Sequence, residues 1–227
     1  MAQIIIEGVP IRVQRKRIKN MYLRVLSPDG EVLLTAPMRI ADASIERFAR
    51  SRIDWVRKTR AKYLAAAPAR YESGATVPFG GMELPLCREA RRGKPRAVRL
   101  DGAILLSAPP DAPDDALKAA LDGLYRAELI AAAEPLLALW ARRMGVRPGA
   151  LTIRDMSSRY GTCNTKTGRV TLNLRLMRTA PVYLEYIVVH ELAHLIEPSH
   201  NARFYAVMDR FLPDWKTRRK QLKALPL

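Results

Sequence analysis

All three histidines of the chain fall in one short stretch, Val189-His190-Glu191-Leu192-Ala193-His194-Leu195-Ile196-Glu197-Pro198-Ser199-His200. On a helix, residues four apart share a face, so His190 and His194 can present two imidazoles to one metal ion. Glu191 lies one residue on and can reach a water beside that face. This is the H-E-x-x-H arrangement, two ligands and a carboxylate base. His200 is the candidate third ligand. An unbroken helix would rotate it far round from His194, but Pro198 ends the helix first and lets the chain fold back. Three histidines leave the fourth position of a tetrahedral zinc ion open, which favours a catalytic ion over a structural one.

The chemistry expected of such a centre is hydrolysis. Zinc lowers the pKa of a coordinated water towards about 7, and Glu191 takes the proton as that water attacks an electrophilic centre. A cationic or hydroxyl donor should face the oxygen that becomes negative, and Arg159, Tyr160, Arg175, Arg203 and Tyr205 lie in suitable segments. Glu197, Asp209 and Asp214 could orient the imidazoles. The alternative is a nucleic-acid-binding protein in which zinc is a structural staple. Two cysteines, Cys87 and Cys163, cannot build a disulfide framework or a four-thiolate site. Both read as ordinary structural thiols, and Trp55, Trp140 and Trp215 as packing residues.

These residues need a scaffold, and the composition supplies one. The chain has 227 residues, 48% hydrophobic and 27% charged, which is globular and long enough to bury a core. Its 39 Lys+Arg against 22 Asp+Glu leave a net charge of +17. Basic clusters run over Arg12–Lys19, Arg88–Arg99 and Lys216–Lys223. Such a field favours polyanions, nucleic acid included, although no aromatics are interleaved to stack on bases. The first residues lack the pattern of a signal peptide. The longest apolar stretches are cut by Glu134 and Pro135 or by His190 and Glu191, so neither should cross a bilayer. A cytoplasmic protein without a membrane partner is expected.

Strands are expected over Gln3–Glu7, Pro10–Gln14, Met21–Leu26 and Glu31–Ala36, the last two joined by the turn Pro28-Asp29-Gly30. Helical spacing then runs from Ala41 to Ala67 with Asp42 as N-cap. Further strands follow at Thr76–Phe79, Glu83–Cys87, Ala97–Leu100 and Ala103–Ser107. After the connector Ser107–Pro113 the segment Asp114–Met144 reads as helical, with Pro135 either kinking it or starting a second helix. Ala150–Met156 and Val170–Leu174 read as strands around a turn-rich segment. Pro181 should open the histidine helix, which is expected to run to about Glu197. Helices near Ala202–Phe211 and Asp214–Ala224 complete the chain, and no internal repeat stands out. The fold class expected is α+β. A β-rich N-terminal domain with one long helix (residues 1–110) should precede a zincin-like helical catalytic domain with a small antiparallel sheet (residues 111–227).

The segment Ser158–Leu222 resembles the catalytic part of the YgjP-like metal-dependent hydrolases, related to the SprT-like and WLM zinc metallopeptidases. The family's Arg, Trp-Gly-Ser-Cys, Asn with Arg-x-Leu, Pro, His-Glu-Leu-x-His, His, Phe-Trp and late Pro have counterparts throughout it. Here they are Arg159-Tyr160-Gly161-Thr162-Cys163, Asn173-Leu174-Arg175-Leu176, Pro181, His190-Glu191-Leu192-Ala193-His194, His200, Phe204-Tyr205 and Pro213. The N-terminal part also matches, with the Val9–Ile11 strand, a basic segment, a hairpin and a helix with Trp55. Tyr160 and Tyr205 stand where the family usually has Trp, and Thr162 where it has Ser. The resemblance implies one zinc ion on His190, His194 and His200, Glu191 as base, and substrate or transition-state contacts from Arg159, Tyr160, Asn173, Arg175 and Tyr205. It implies a metallopeptidase acting on polypeptide. A nucleoside triphosphate pyrophosphatase activity on substrates such as UTP is the alternative attached to YgjP-like proteins, and SprT-like relatives cleave DNA-bound proteins.

Overall fold

A computed structural model describes residues 2–26, 30–65 and 71–225. The chain divides into two compact units, Met1–Arg70 and Tyr71–Leu227. The boundary therefore falls well before residue 110, and the strands between residues 76 and 108 belong to the second unit.

The first unit holds β1 (Ala2–Ile6), β2 (Val9–Lys16), β3 (Tyr22–Leu26) and β4 (Glu31–Pro37) in the order β1-β2-β4-β3. Strands β1 and β2 form a hairpin closed at Ile6↔Val9. Its two turn residues, Glu7 and Gly8, both have positive φ (47° and 78°), as the turn that matches strand twist requires. Strand β2 runs parallel to β4 from Ile11↔Val32, and β3 runs antiparallel to β4, closing at Leu26↔Glu31. Within the expected turn there, Pro28 and Asp29 lie outside the described residues. Alternate strand residues Ile11, Val13, Val32, Leu34 and Ala36 are buried, together with Ile45, Ala49, Ile53 and Val56.

Those last four come from α1 (Asp42–Arg50) and α2 (Ile53–Ala65), so the single helix expected here is two, separated at Ser51-Arg52. Asp42 is not the N-cap. Ala41 takes that position without a side-chain bond, and Asp42 instead pairs with Arg15, whose Nη1 also donates to the Ile40 carbonyl at 2.7 Å. Trp55 is not a packing residue either: its surface is 49% exposed.

The second unit opens with β5 (Thr76–Phe79), β6 (Met82–Ala90), β7 (Arg96–Leu100) and β8 (Ala103–Ala108), in the order β5-β6-β8-β7. Directions also match the first sheet: antiparallel, then parallel, then antiparallel. A helix follows in both cases. The chain thus contains a structural repeat that the sequence reading missed. Its best trace is Val32-Leu33-Leu34-Thr35-Ala36-Pro37 against Ile104-Leu105-Leu106-Ser107-Ala108-Pro109. At the same offset (104 − 32 = 72 residues), the N-cap positions Ala41 and Pro113 correspond, as do buried Ile45 and Leu117.

Helix α3 (Asp114–Met144) is continuous through Pro135 and ends at Gly145, whose φ of 68° supplies the left-handed cap. Its buried stripe, from Leu117 through Leu121, Tyr125, Leu129, Ala133 and Leu137 to Trp140 and Met144, carries the core of this unit. A small sheet follows, β9 (Leu151–Arg154), β10 (Gly161–Cys163) and β11 (Val170–Asn173), ordered β10-β11-β9. The two strands expected here, β9 and β11, pair in parallel, and the antiparallel pairing is made by β10, a strand the sequence reading did not foresee. A 3₁₀ helix (Leu174–Arg178) leads to α4 (Pro181–Ala193), α5 (Ala202–Phe211) and α6 (Trp215–Ala224). The architecture is α+β, and no described helix is long and apolar enough to cross a membrane.

Candidate metal centre

Helix α4 starts at Pro181, which needs no hydrogen-bond partner for its nitrogen in a first turn. It is apolar nearly all round, with Leu184, Ile187, Val188, Val189, Leu192 and Ala193 buried. Packing on several sides therefore fixes its rotation. The helix ends at Ala193, earlier than Glu197, and His194 is its C-cap. Tightened turns follow, with Leu195 N–H donating to Leu192 and Ile196 N–H to Ala193, both at 3.0 Å. The Glu197 carboxylate does not orient an imidazole; its Oε1 accepts from the Ser199 N–H at 3.2 Å and so shapes the loop before His200.

That loop brings the third histidine home. One nitrogen from each of His190, His194 and His200 lies within 4.8 Å of the other two. The Nε2 atoms of His190 and His200 are 3.1 Å apart, and the ring centroids are separated by 4.6 to 5.0 Å. Donors about 2.1 Å from one tetrahedral ion stand about 3.4 Å apart, so this spread brackets what zinc requires. Burial, then the neighbouring His194 and His200, hold the His190 imidazole neutral by lowering its pKa to about 3, which keeps its lone pair free for a cation. The residues present therefore fit a divalent ion with nitrogen preference.

Phe204 organises the cluster from beneath. Fully buried, it places its ring centroid 5.0, 4.7 and 4.7 Å from those of His190, His194 and His200. It is held at the start of α5 by Asn201, the N-cap, whose Oδ1 accepts from the Phe204 N–H at 3.1 Å. The cap thus directly follows His200 in sequence. Among the described residues no carboxylate supports the imidazoles from behind. Asp209 accepts from Trp215 Nε1, Asp214 pairs with Arg218, and His190 Nδ1 is buried without a partner.

Glu191 is 4% exposed, and burial raises its pKa to about 8 against a smaller opposing effect of Arg159. Its neighbour is the backbone of β10. A Cβ at Gly161 would stand 2.6 Å from Glu191 Oε1 and 2.9 Å from Ile187 Cγ2, so glycine is needed there for close approach. Cys163 lies on the same short strand. Its thiol is pushed up to about 11, first by burial and then by the Glu191 charge, so it stays protonated and packs as a structural cysteine.

A cavity of about 420 Å³ opens beside His190, Glu191 and His200. Tyr160 and Tyr205 line it. The Tyr160 hydroxyl donates to the Leu222 carbonyl at 3.1 Å, and Tyr205 stacks on Trp215 with centroids 5.4 Å apart. The remaining candidates lie elsewhere. Arg159, Asn173 and Arg175 line a separate cavity of about 140 Å³. Asn173 is buried and structural there: its Nδ2 donates to the carbonyls of Met156 and Arg159, and Oδ1 accepts from the Arg175 N–H. Arg175 pairs with Asp155, and Arg203 faces Glu197 at 3.8 Å. The sequence reading missed the far wall, built by α6 from Trp215, Arg219, Leu222 and Lys223. Positions 215, 219, 222 and 223 follow helical spacing, a signal hidden by the overall basic character of that segment.

An α+β protein with an H-E-x-x-H helix and a third histidine beyond a turn has the layout of a metal-dependent hydrolase. The chain belongs to the YgjP-like family: the family's metallopeptidase domain matches residues 19–225, nearly the whole length. Membership implies a divalent metal, typically zinc, and a polypeptide substrate. Among solved structures, the metallopeptidase zymogen abylysin of Pyrococcus abyssi is 25% identical, covering 40% of this chain and 90% of its own, with a TM-score of 0.37. The metallopeptidase zymogen jannalysin of Methanocaldococcus jannaschii is 17% identical, covering 40% and 92%, with a TM-score of 0.36. Both likenesses are partial. No curated protein matches the chain.

Proposed function

We infer that the chain is a zinc-dependent peptidase in which His190, His194 and His200 hold one ion and Glu191 is the base. The observation that carries this reading is the convergence of three imidazoles within 4.8 Å beside a buried carboxylate. When bound, the ion would activate water and polarise the carbonyl of the scissile amide. Glu191 then accepts a proton. Burial gives it high proton affinity, while a nearby divalent charge favours its ionised form, so it can act as base near neutral pH. Tyr205 is the better placed hydroxyl to meet the developing negative charge, because the Tyr160 proton is engaged by Leu222.

The test uses zinc-loaded protein with casein and with UTP. Glu191→Gln should keep bound zinc and fold while casein cleavage drops at least about a hundredfold. Full activity in that variant would remove Glu191 from the mechanism. His200→Ala should weaken zinc binding, and unchanged affinity would remove it as a ligand. The positive wall formed by Arg219 and Lys223 would also suit a phosphoanhydride. Pyrophosphate release from UTP without casein cleavage, lost in Glu191→Gln, would therefore replace the peptidase reading. Tight zinc with neither activity would point to a structural ion.

A further inference from the structure

We propose that Arg219 and Lys223 form a cationic subsite on the cavity wall that selects a peptide carboxylate next to the scissile bond. This rests on the peptidase reading of the same centre and adds the chemistry of the residue it accepts.

Helix α6 carries five cations between Lys216 and Lys223, and they fall into distinct groups. Lys216 pairs with Asp209 at 3.3 Å, and Arg218 pairs with Glu185 at 2.6 Å and Asp214 at 2.8 Å. Neither lines the cavity. Arg219 and Lys223 do line it, and among the described residues no carboxylate pairs with either. The guanidinium of Arg219 lies 5.9 Å from the Trp215 ring centroid. Two exposed cations four residues apart on one helical face repel each other, and an anion between them would relieve that repulsion.

The wall that carries them is held in place. Arg218 Nη1 also donates to the Val182 carbonyl at 3.2 Å, tying α6 to the first turn of α4. Trp215 Nε1 donates to Asp209 at 2.8 Å, tying α6 to α5. Tyr160 closes the far end through the Leu222 carbonyl. An anion bound there would meet charges fixed relative to the three imidazoles, which is the condition for a charge to discriminate among substrates. Tyr186, Ile187, Trp215 and Leu222 give the same cavity apolar walls. An apolar lining that ends in cations fits a short aliphatic stem that ends in a carboxylate. Asp and Glu side chains have that form, and so does a C-terminal residue.

The experiment measures binding and cleavage separately. Fluorescent peptides that differ only by Glu, Gln or Lys at one walked position, each with a free or amidated C-terminus, are titrated onto zinc-loaded Glu191→Gln protein. We expect roughly five- to tenfold tighter binding for Glu at one fixed position, or for the free C-terminus. Position-specific Glu preference identifies a side-chain subsite, and preference for the free terminus identifies a terminal one. Adding Arg219→Glu should abolish the preference and turn it towards Lys. Lys220→Glu, an equal charge change on α6 away from the cavity lining, should leave it intact. Equal binding of Glu and Gln peptides at every position and terminus, or a preference unchanged by Arg219→Glu with Lys223→Glu, overturns the subsite. A nucleoside triphosphate bound more tightly than any peptide, and lost in Arg219→Glu, replaces carboxylate with phosphate. Cleavage by the otherwise unaltered protein is scored independently, so a failed peptidase reading remains distinct from a failed subsite.

Discussion

The two sheet-plus-helix repeats share a plan and differ in how they are finished. Residues 1–70 carry 15 Lys+Arg and 6 Asp+Glu, whereas residues 71–144 carry 10 of each. The first repeat ends in two short helices that leave Trp55 exposed; the second ends in α3, whose buried stripe extends over 31 residues. That length lets one helix serve two purposes. Its start buries Leu117 and Tyr125 with the sheet, where Tyr125 donates to the Pro78 carbonyl at 2.7 Å. Its end places Trp140 against α4, donating to Glu185 at 3.1 Å. The same strand order thus yields a basic module in one case and the backing of the histidine helix in the other. Topology sets the shared core positions, and the helix after the sheet decides the use.

Paired core truncations should separate the modules most sharply. Phe204→Ala should cost about 3–5 kcal/mol and also weaken zinc binding, because three imidazoles rest on that ring. Ile45→Ala should cost about 2–5 kcal/mol in the first unit with zinc affinity unchanged. Thermal melts with metal analysis of both variants check the contrast, and zinc loss in Ile45→Ala would erase it. Gly161→Ala comes next: its methyl must displace Glu191 or Ile187, at about 1–3 kcal/mol, with activity falling more than zinc content. The smallest effect is electrostatic. In metal-free protein the folded pKa of Glu191, about 8, exceeds its ordinary value of 4.5. The folded state therefore holds the extra proton, and stability from this group falls as pH rises between those values. His190 works the other way, losing stability as pH falls from 6.5 towards 3, so of these two groups Glu191 alone acts above pH 6.5. Between pH 6.5 and 9 the protein should lose about 2 kcal/mol relative to Glu191→Gln, measured as urea midpoints with chelator present.

The three-histidine cluster was legible because its geometry is mostly local. Helical spacing brings His190 and His194 together, and Pro198 marks the return of His200. The edge strand Gly161–Cys163 was read only as part of a turn-rich segment, since three residues carry too little alternation to declare a strand. The repeat was hidden because a pleated sheet demands a pattern of burial and not particular residues; only the Val32–Pro37 and Ile104–Pro109 runs keep a visible likeness. Trp55 misled because its neighbours Ile53 and Val56 do face the core. Asn173 was assigned to substrate on resemblance, while its bonds show that it holds the loop from Met156 to Arg159. Arg219 and Lys223 escaped notice because net charge does not distinguish cations that have partners from those that do not.

The three histidines also differ in what carries them, and that difference has a kinetic consequence. His190 and His194 belong to a helix and its cap, packed among apolar neighbours. His200 is exposed and sits between Glu197's loop contact and the cap of α5. Opening that short connection would release one donor while the other two keep their places. Exchange of the ion should then be timed by fraying ahead of Asn201, and Asn201→Ala should speed zinc release more than it weakens equilibrium binding. The segment would set how long the ion stays, a property separate from how tightly it is held.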